Sequence, residues 1–177
     1  MMDPRPRKLR ASDLALFLDY DGVLHPDAVY RTKHGLELRA RGEMMMHAHI
    51  LTDLLQDFPD IRIVLSTSWV RLLGYSRARA ALPAKLQARV ISATWHSRMT
   101  RSPIEGYDSW SRHEQIRAAV TRAGITHWLA IDDDTDHTWP AHDHRLIRCE
   151  SNMGLGSEAT QMELRDKLQA LIDTAAG

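Results

Sequence analysis

The sequence predicts an α/β fold, a mainly parallel five-stranded sheet that is doubly wound, with helices on its faces. Two observations carry this. Short apolar runs without alternation recur along the chain, each stopped by a polar residue, which is how strands buried on both faces read. Between them lie stretches of helical periodicity, and strands alternating with helices build a parallel sheet through crossover connections.

The elements follow in chain order. Leu14-Ala15-Leu16-Phe17-Leu18 is the first run, stopped by Asp19. Val29 to Leu38 has β-like residues either side of His34-Gly35 and reads as a hairpin, a small flap over 28–40. Glu43 to Phe58 sets Met46, Ile50 and Leu54, with Leu51 and Leu55, on one helical face and ends at Pro59. Ile61 to Leu65 is the second strong strand, stopped by Ser66. Trp69 to Ala81 is a helix ended by Pro83, and Arg89 to Ala93 is a weaker strand. Ser111 to Ala123 is a helix with Ser111 or Ser109 as N-cap and Gly124 as its stop. Trp128 to Ile131 is the third strong strand, stopped by Asp132, and Arg145 to Cys149 is a weaker one. Ser157 to Thr174 closes the chain as a helix capped by Ser157, with Met162, Leu164, Leu168 and Leu171 inward.

A chain of 177 residues suits a single domain over 13–177, behind a flexible basic tail over 1–12. Apolar residues at 44% and charged residues at 26% argue against wholesale disorder. Lys and Arg (23) balance Asp and Glu (23), so no overall charge draws the protein to nucleic acid or membrane. The single cysteine, Cys149, excludes an internal disulfide and any multi-cysteine zinc site. No apolar run approaches the roughly 18 residues of a membrane span, and none follows the basic N-terminus as a signal peptide would. A soluble, cytoplasmic protein with no membrane partner is the expectation.

Charge placement says more than charge total. Between Ile61 and Ile104 stand eight basic residues (Arg62, Arg71, Arg77, Arg79, Lys85, Arg89, Arg98, Arg101) and no acid. Asp132 to Asp136 holds four carboxylates in five residues. If folding joined both segments at one site, the acids would hold a cation and the arginines would face an anion.

In a doubly wound sheet the ligand crevice lies at the carboxyl ends of the strands. Just past the three strong runs come Asp19 with Asp21, Ser66-Thr67-Ser68, and Asp132-Asp133. Four carboxylates gathered there repel one another unless a cation neutralises them, and oxygen ligands of this hardness suit Mg²⁺. In the acidic run Asp132 and Asp133 are the metal candidates, while Asp136 is expected to orient a neighbour. The ten histidines give no zinc site: His47 and His49, two apart on a helix, point to different faces. His25, Trp69 and Trp139 stand close enough to strand ends to reach the crevice.

The string Leu16-Phe17-Leu18-Asp19-Tyr20-Asp21-Gly22-Val23-Leu24 resembles the first motif of the haloacid dehalogenase (HAD) superfamily of phosphotransferases, a buried strand running into Asp-x-Asp-Gly-x-Leu. Ser66 resembles the second motif, Arg112 the third, and Asp132-Asp133 the fourth; together they cover residues 14 to 155. The family usually has Lys at the third motif. Arg keeps the charge on a planar, bidentate head, and Arg71, five residues past Ser66, is a second candidate for the phosphate-binding cation.

That resemblance implies a HAD-like, Rossmann-like fold and a Mg²⁺-dependent phosphatase. By it, Asp19 attacks phosphorus, Asp21 acts as general acid and base, and Ser66 and Arg112 hold the phosphoryl group. Mg²⁺ is held by the Asp19 carboxylate, the Asp21 backbone carbonyl and a fourth-motif aspartate. Gly22 permits the turn between the two motif aspartates, and Gly22, Thr67 and Arg71 are the further substrate-side residues. The string Leu65-Ser66-Thr67-Ser68-Trp69 is similar to compact HAD domains of nucleic-acid repair proteins.

The spacing leaves only the hairpin as a cap, so the expected substrate is a phosphate on something large, such as a nucleic-acid end. One alternative is a metabolite phosphatase whose lid comes from a second subunit. Another is a non-catalytic or receiver-like phosphate-binding domain; a receiver needs an acid after the third strand, where this chain has Ser92-Ala93-Thr94.

Overall fold

A computed structural model of the chain describes residues 5–95 and 110–177. Arg98, Arg101 and Ser109 therefore lie outside the described residues, as do the first four of the tail. The sheet is built from β1 (Leu14–Leu18), β4 (Ile61–Leu65), β5 (Val90–Ala93), β6 (Trp128–Asp132) and β7 (Leu146–Arg148). Their spatial order is β5-β4-β1-β6-β7 and every pairing is parallel. The chain runs outward from β1 through β4 to β5, then returns to the other side for β6 and β7. The order thus reverses between β1 and β6, the position where doubly wound sheets open a crevice.

Side chains alternate across β1, as a strand requires. Leu16 and Leu18 join Ile63, Leu65, Leu129 and Ile131 in the larger core on one face. Ala15 and Phe17 join Val64, Trp128 and Ala130 in the smaller core on the other. Both faces are covered, so the strands show no polar alternation. Burying a side chain such as Phe17, which has no exposed surface, stabilises by about 1.5–3 kcal/mol.

The helices are α1 (Ala48–Leu54), α2 (Ser68–Leu73), α3 (Tyr75–Ala80), α4 (Ala84–Gln87), α5 (Arg112–Ala123) and α6 (Glu158–Ala176). Three depart from the sequence-based expectation. The helix expected from Glu43 begins only at Ala48 and ends in a 3-10 turn over Leu55–Asp57. Positive φ at Gly42 (107°) and Met45 (63°) keeps the preceding residues in turns, and its buried face is Ala48, Leu51 and Leu54, with Met46 exposed. The helix expected over 69–81 is broken at Gly74, whose φ of 87° no helix accommodates. In α6 Thr160, Leu164 and Leu168 are buried and Leu171 packs against the larger core, while Met162, two positions from Thr160, points to solvent.

The hairpin pairs β2 (Val29–Thr32) with β3 (Gly35–Leu38), Thr32 opposite Gly35, so its turn falls at Lys33-His34, one residue early. Within the predicted tail the chain is anchored from Arg7. Its N–H donates to the Ile91 carbonyl at 2.9 Å, and its guanidinium binds both Asp13 oxygens at 2.9 and 2.7 Å.

Candidate active site at the strand carboxyl ends

Strand register builds the site. Leu18 pairs with Leu65 on one side and Ile131 on the other, so the next residues, Asp19, Ser66 and Asp132, stand abreast. Adjacent strands lie about 4.8 Å apart, and two aspartates in neighbouring positions must crowd their carboxylates. One oxygen each from Asp19, Asp132 and Asp133 lies within 4.8 Å of the others.

These acids form the floor of a cavity of about 360 Å³ that also meets Thr67, Arg71 and Arg112. Arg112 opens α5, held there by a capping box in which Ser111 Oγ accepts from Glu114 N–H and Glu114 accepts from Ser111 N–H. Its guanidinium lies 3.5 Å from Asp132 Oδ2 and 3.9 Å from Asp19 Oδ1. Arg112 thus neutralises part of the acid cluster, and Arg71 lines the same cavity.

The electrostatics favour a cation. Burial, reinforced by the charge of Asp132, pushes the Asp19 carboxyl well above its usual range against the pull of Arg112. Asp132 is raised by burial, opposed by Arg112 and the Asp134 N–H. Burial also raises Asp133 to about 6, with a Ser151 hydrogen bond working the other way. Asp132 Oδ2 and Asp133 Oδ2 are buried without a hydrogen-bond partner among the described residues. Crowded carboxylate oxygens without hydrogen-bond donors of their own, Asp132 Oδ2 having only the Arg112 ion pair, and with no sulfur or nitrogen among them fit a hard divalent cation.

The other predicted residues divide. Ser66 is buried and does not line the cavity; its Oγ has no hydrogen-bond partner among the described residues. The adjoining Thr67 takes the cap of α2, accepting from Trp69 N–H at 3.3 Å, which leaves Ser66 uncommitted. Gly22 faces Asp133, not the cavity: at φ 74° a side chain there would collide with the Asp133 carboxylate. Asp21 borders the cavity, its carboxylate bound by His25 Nε2 at 3.0 Å and by Trp69 Nε1 at 3.3 and 3.1 Å.

Two expectations are corrected. The neighbour-orienting acid is Asp134, which accepts from the N–H groups of Thr138 and Trp139 and from Arg148 at 2.7 Å, while Asp136 is exposed at the cavity edge. The described part of the basic stretch does not gather at the site. Among its described members Arg71 alone lines this cavity; Arg62, Lys85 and Arg89 line a second one of about 370 Å³. Arg62 and Arg89 sit at the starts of β4 and β5, the opposite end of the sheet.

Trp139 is buried in the smaller core and does not reach the crevice. Trp95 and Trp110 line it instead, flanking the undescribed segment, and neither carried a motif that would have marked it. Among the described residues no helix is long and apolar enough to cross a membrane.

A family model described as the HAD domain in Swiss Army Knife RNA repair proteins matches residues 15–160. No curated protein and no solved structure matches the chain.

Proposed function

The chain belongs to the HAD domains of the kind found in Swiss Army Knife RNA repair proteins, and from that premise we propose that it is a Mg²⁺-dependent phosphomonoester hydrolase acting through an aspartyl-phosphate on Asp19. The observation that carries the reading is the convergence of Asp19, Asp132 and Asp133 at the strand ends with Arg112 against them.

Asp19, Asp132, Asp133 and the Asp21 backbone carbonyl would hold the Mg²⁺, which when bound supplies charge neutralisation among the carboxylates and on the phosphoryl oxygens. The remaining work falls to the chain's own residues. An Asp19 carboxylate oxygen forms a bond to phosphorus while the bond from phosphorus to the leaving oxygen breaks, and Asp21 gives that oxygen its proton. Asp21, now a carboxylate, takes a proton from water as the water oxygen attacks phosphorus. The bond from Asp19 to phosphorus breaks, phosphate leaves, and both acids are restored. Arg112 stabilises the charge on the transferring group, and the uncommitted Ser66 hydroxyl serves as a donor to it; Thr67 and Arg71 border the entering phosphate.

The substrate we propose is a phosphorylated nucleic-acid end, and the compartment we propose is the cytoplasm. No residue of the β2–β3 hairpin lines the cavity, so nothing described there seals it over a small metabolite. The family's occurrence in RNA repair proteins supports the same class.

One experiment tests the whole reading: kcat/KM for a phosphorylated oligonucleotide and a sugar phosphate over a salt series, with Asp19→Asn as control. Wild type should prefer the oligonucleotide, less so as salt rises, and the variant should lose turnover and trapping by beryllofluoride because an amide is a poor nucleophile. An active variant overturns the mechanism. A preference for the sugar phosphate overturns the substrate class and favours a lid from a second subunit.

A further inference from the structure

Asp21 stands apart from the three-carboxylate cluster, and its surroundings are unlike those of its neighbours. The chain after β1 folds back so that Gly22 N–H donates to the His25 carbonyl at 2.9 Å. This tucks the His25 ring, wholly buried, beside Asp21, with Nε2 3.0 Å from Oδ1. On its other side the ring accepts from Met45 N–H through Nδ1 at 3.2 Å. An imidazole that accepts at Nδ1 carries its proton on Nε2, so the bond to Asp21 is a donated one.

Met45 makes that contact at φ 63°, a region few residues other than glycine enter. The turn that delays the start of α1 is the one that aims this N–H. A second donor arrives from another element: Trp69, buried on α2, directs Nε1–H to Asp21 Oδ1 at 3.3 Å and Oδ2 at 3.1 Å. Its indole is held in turn by Tyr20, edge-on with centroids 5.4 Å apart, and by the His25 ring at 5.7 Å. The one indole hydrogen is shared between the two oxygens, while the imidazole hydrogen goes to Oδ1 alone, which leaves Oδ2 the less occupied of the pair.

We propose that His25 and Trp69 are positioning residues that lock the Asp21 carboxyl group, with Met45 N–H fixing the His25 tautomer, so that Oδ2 is the oxygen that gives up and recovers the proton. The inference rests on the reading of Asp21 as general acid and base. An aspartate free to turn about its last bond would present either oxygen; donors from two separate elements remove that freedom. Misplacement by about 1 Å can cost about 10²-fold in rate, so a lock of this kind has kinetic consequences that a merely buried histidine lacks.

The test compares an alkyl phosphate with nitrophenyl phosphate, whose leaving group needs no protonation, in Asp21→Asn, His25→Leu, His25→Gln and Trp69→Phe. His25→Leu and Trp69→Phe should each lose about 10²-fold in kcat on the alkyl phosphate, far less on nitrophenyl phosphate, with KM unchanged. His25→Gln, whose amide N–H can stand where Nε2–H stood, should recover part of the loss. Long-range ¹H–¹⁵N spectra of the wild type should show His25 Nε2 protonated and Nδ1 bare. Equal losses on both substrates in His25→Leu and Trp69→Phe, no loss in either, or a proton on Nδ1 would overturn the proposal. Should His25→Leu fail to fold, Trp69→Phe decides, since it removes the donor and keeps an aromatic ring, and its melting temperature reports separately on the packing lost with the indole. If Asp21→Asn itself loses equally on both substrates, the acid–base reading of Asp21 falls, and this inference with it; leaving-group dependence in Asp21→Asn alone sinks only the lock.

Discussion

At the amino ends of β4 and β5, Arg89 directs one guanidinium nitrogen to the carbonyls of Phe58 and Ile61 at 2.8 and 3.2 Å and the other to Leu55 at 2.6 Å. At the carboxyl ends, Ser66 Oγ, Asp132 Oδ2 and Asp133 Oδ2 are buried with no hydrogen-bond partner among the described residues. The first arrangement closes the last turn after α1 and leaves its cation committed to the fold. The second leaves buried polar atoms open, at about 1–3 kcal/mol for each unsatisfied group. A cost of that size at one end, where a cation would meet the carboxylates of Asp132 and Asp133, separates groups that build the molecule from groups left open to a ligand. The acidic loop repeats the contrast between neighbours: Asp134 is saturated by Thr138, Trp139 and Arg148, and Asp133 beside it is not. The buried Trp139 Nε1 also lacks a hydrogen-bond partner among the described residues; it lies in the smaller core beside the rings of Trp128 and His113.

The largest effect that could break this contrast belongs to Ser66. Ser66→Ala should lower turnover by about 10²–10³-fold, the usual loss on removing one donor to a developing charge, without lowering the melting temperature. A fall in melting temperature with full activity would make Ser66 a structural residue. Next comes Arg89→Ala, which should cost about 1.5–3 kcal/mol in urea unfolding, the range of hydrogen bonds to a charged group, and leave kcat of the folded protein unchanged. An unmoved midpoint would show that those carbonyls are satisfied without it.

The smallest effect sharpens what a structural acid does with pH. Burial works to raise the Asp13 carboxyl, but hydrogen bonds from Arg7 and the Arg10 N–H outweigh it and hold it below the usual carboxylate range. A carboxyl lowered by folding stabilises above its unfolded value, and that contribution is lost as pH falls through the folded value. Stability from this pair should therefore drain away below about pH 4. Asp13→Asn should remove about 1 kcal/mol at neutral pH and flatten the acid limb of a stability profile; an unaltered limb would contradict the assignment.

Much of this architecture is legible in sequence, for a physical reason. Strands buried on both faces must be apolar throughout, and the first polar residue marks where each leaves the sheet. Leu18-Asp19, Leu65-Ser66 and Ile131-Asp132 therefore announce both the strands and the level of the site. Helix ends are harder to read. The start of α1 is set by Met45, whose N–H goes to a histidine 20 residues earlier, and no local periodicity carries that information.

The basic stretch misleads because charge along a chain that threads a sheet is dealt to both ends. Arg62 enters β4 at the far end, and Arg71 follows it on the near side. The clamp on Asp21 was only half visible. His25 and Trp69 stand near strand ends in sequence, but Trp69 arrives on α2, and the turn that brings His25 back beside Asp21 is made at Gly22, where what must be avoided is Asp133, more than 100 residues away.

The central claim is that the carboxylates at the strand ends are arranged for a divalent cation at the expense of the fold's own stability. Thermal unfolding of wild type and Asp19→Asn, each in chelator and in Mg²⁺, tests it directly. Mg²⁺ at about 100 times its Kd adds about 2.7 kcal/mol to a protein that binds it, which is about 5–10 °C for a chain of this size. Wild type should show that rise. Asp19→Asn, relieved of one buried charge beside Asp132, should melt above wild type in chelator and gain much less from Mg²⁺. A variant that melts below wild type in chelator and gains as much from Mg²⁺ would contradict the account.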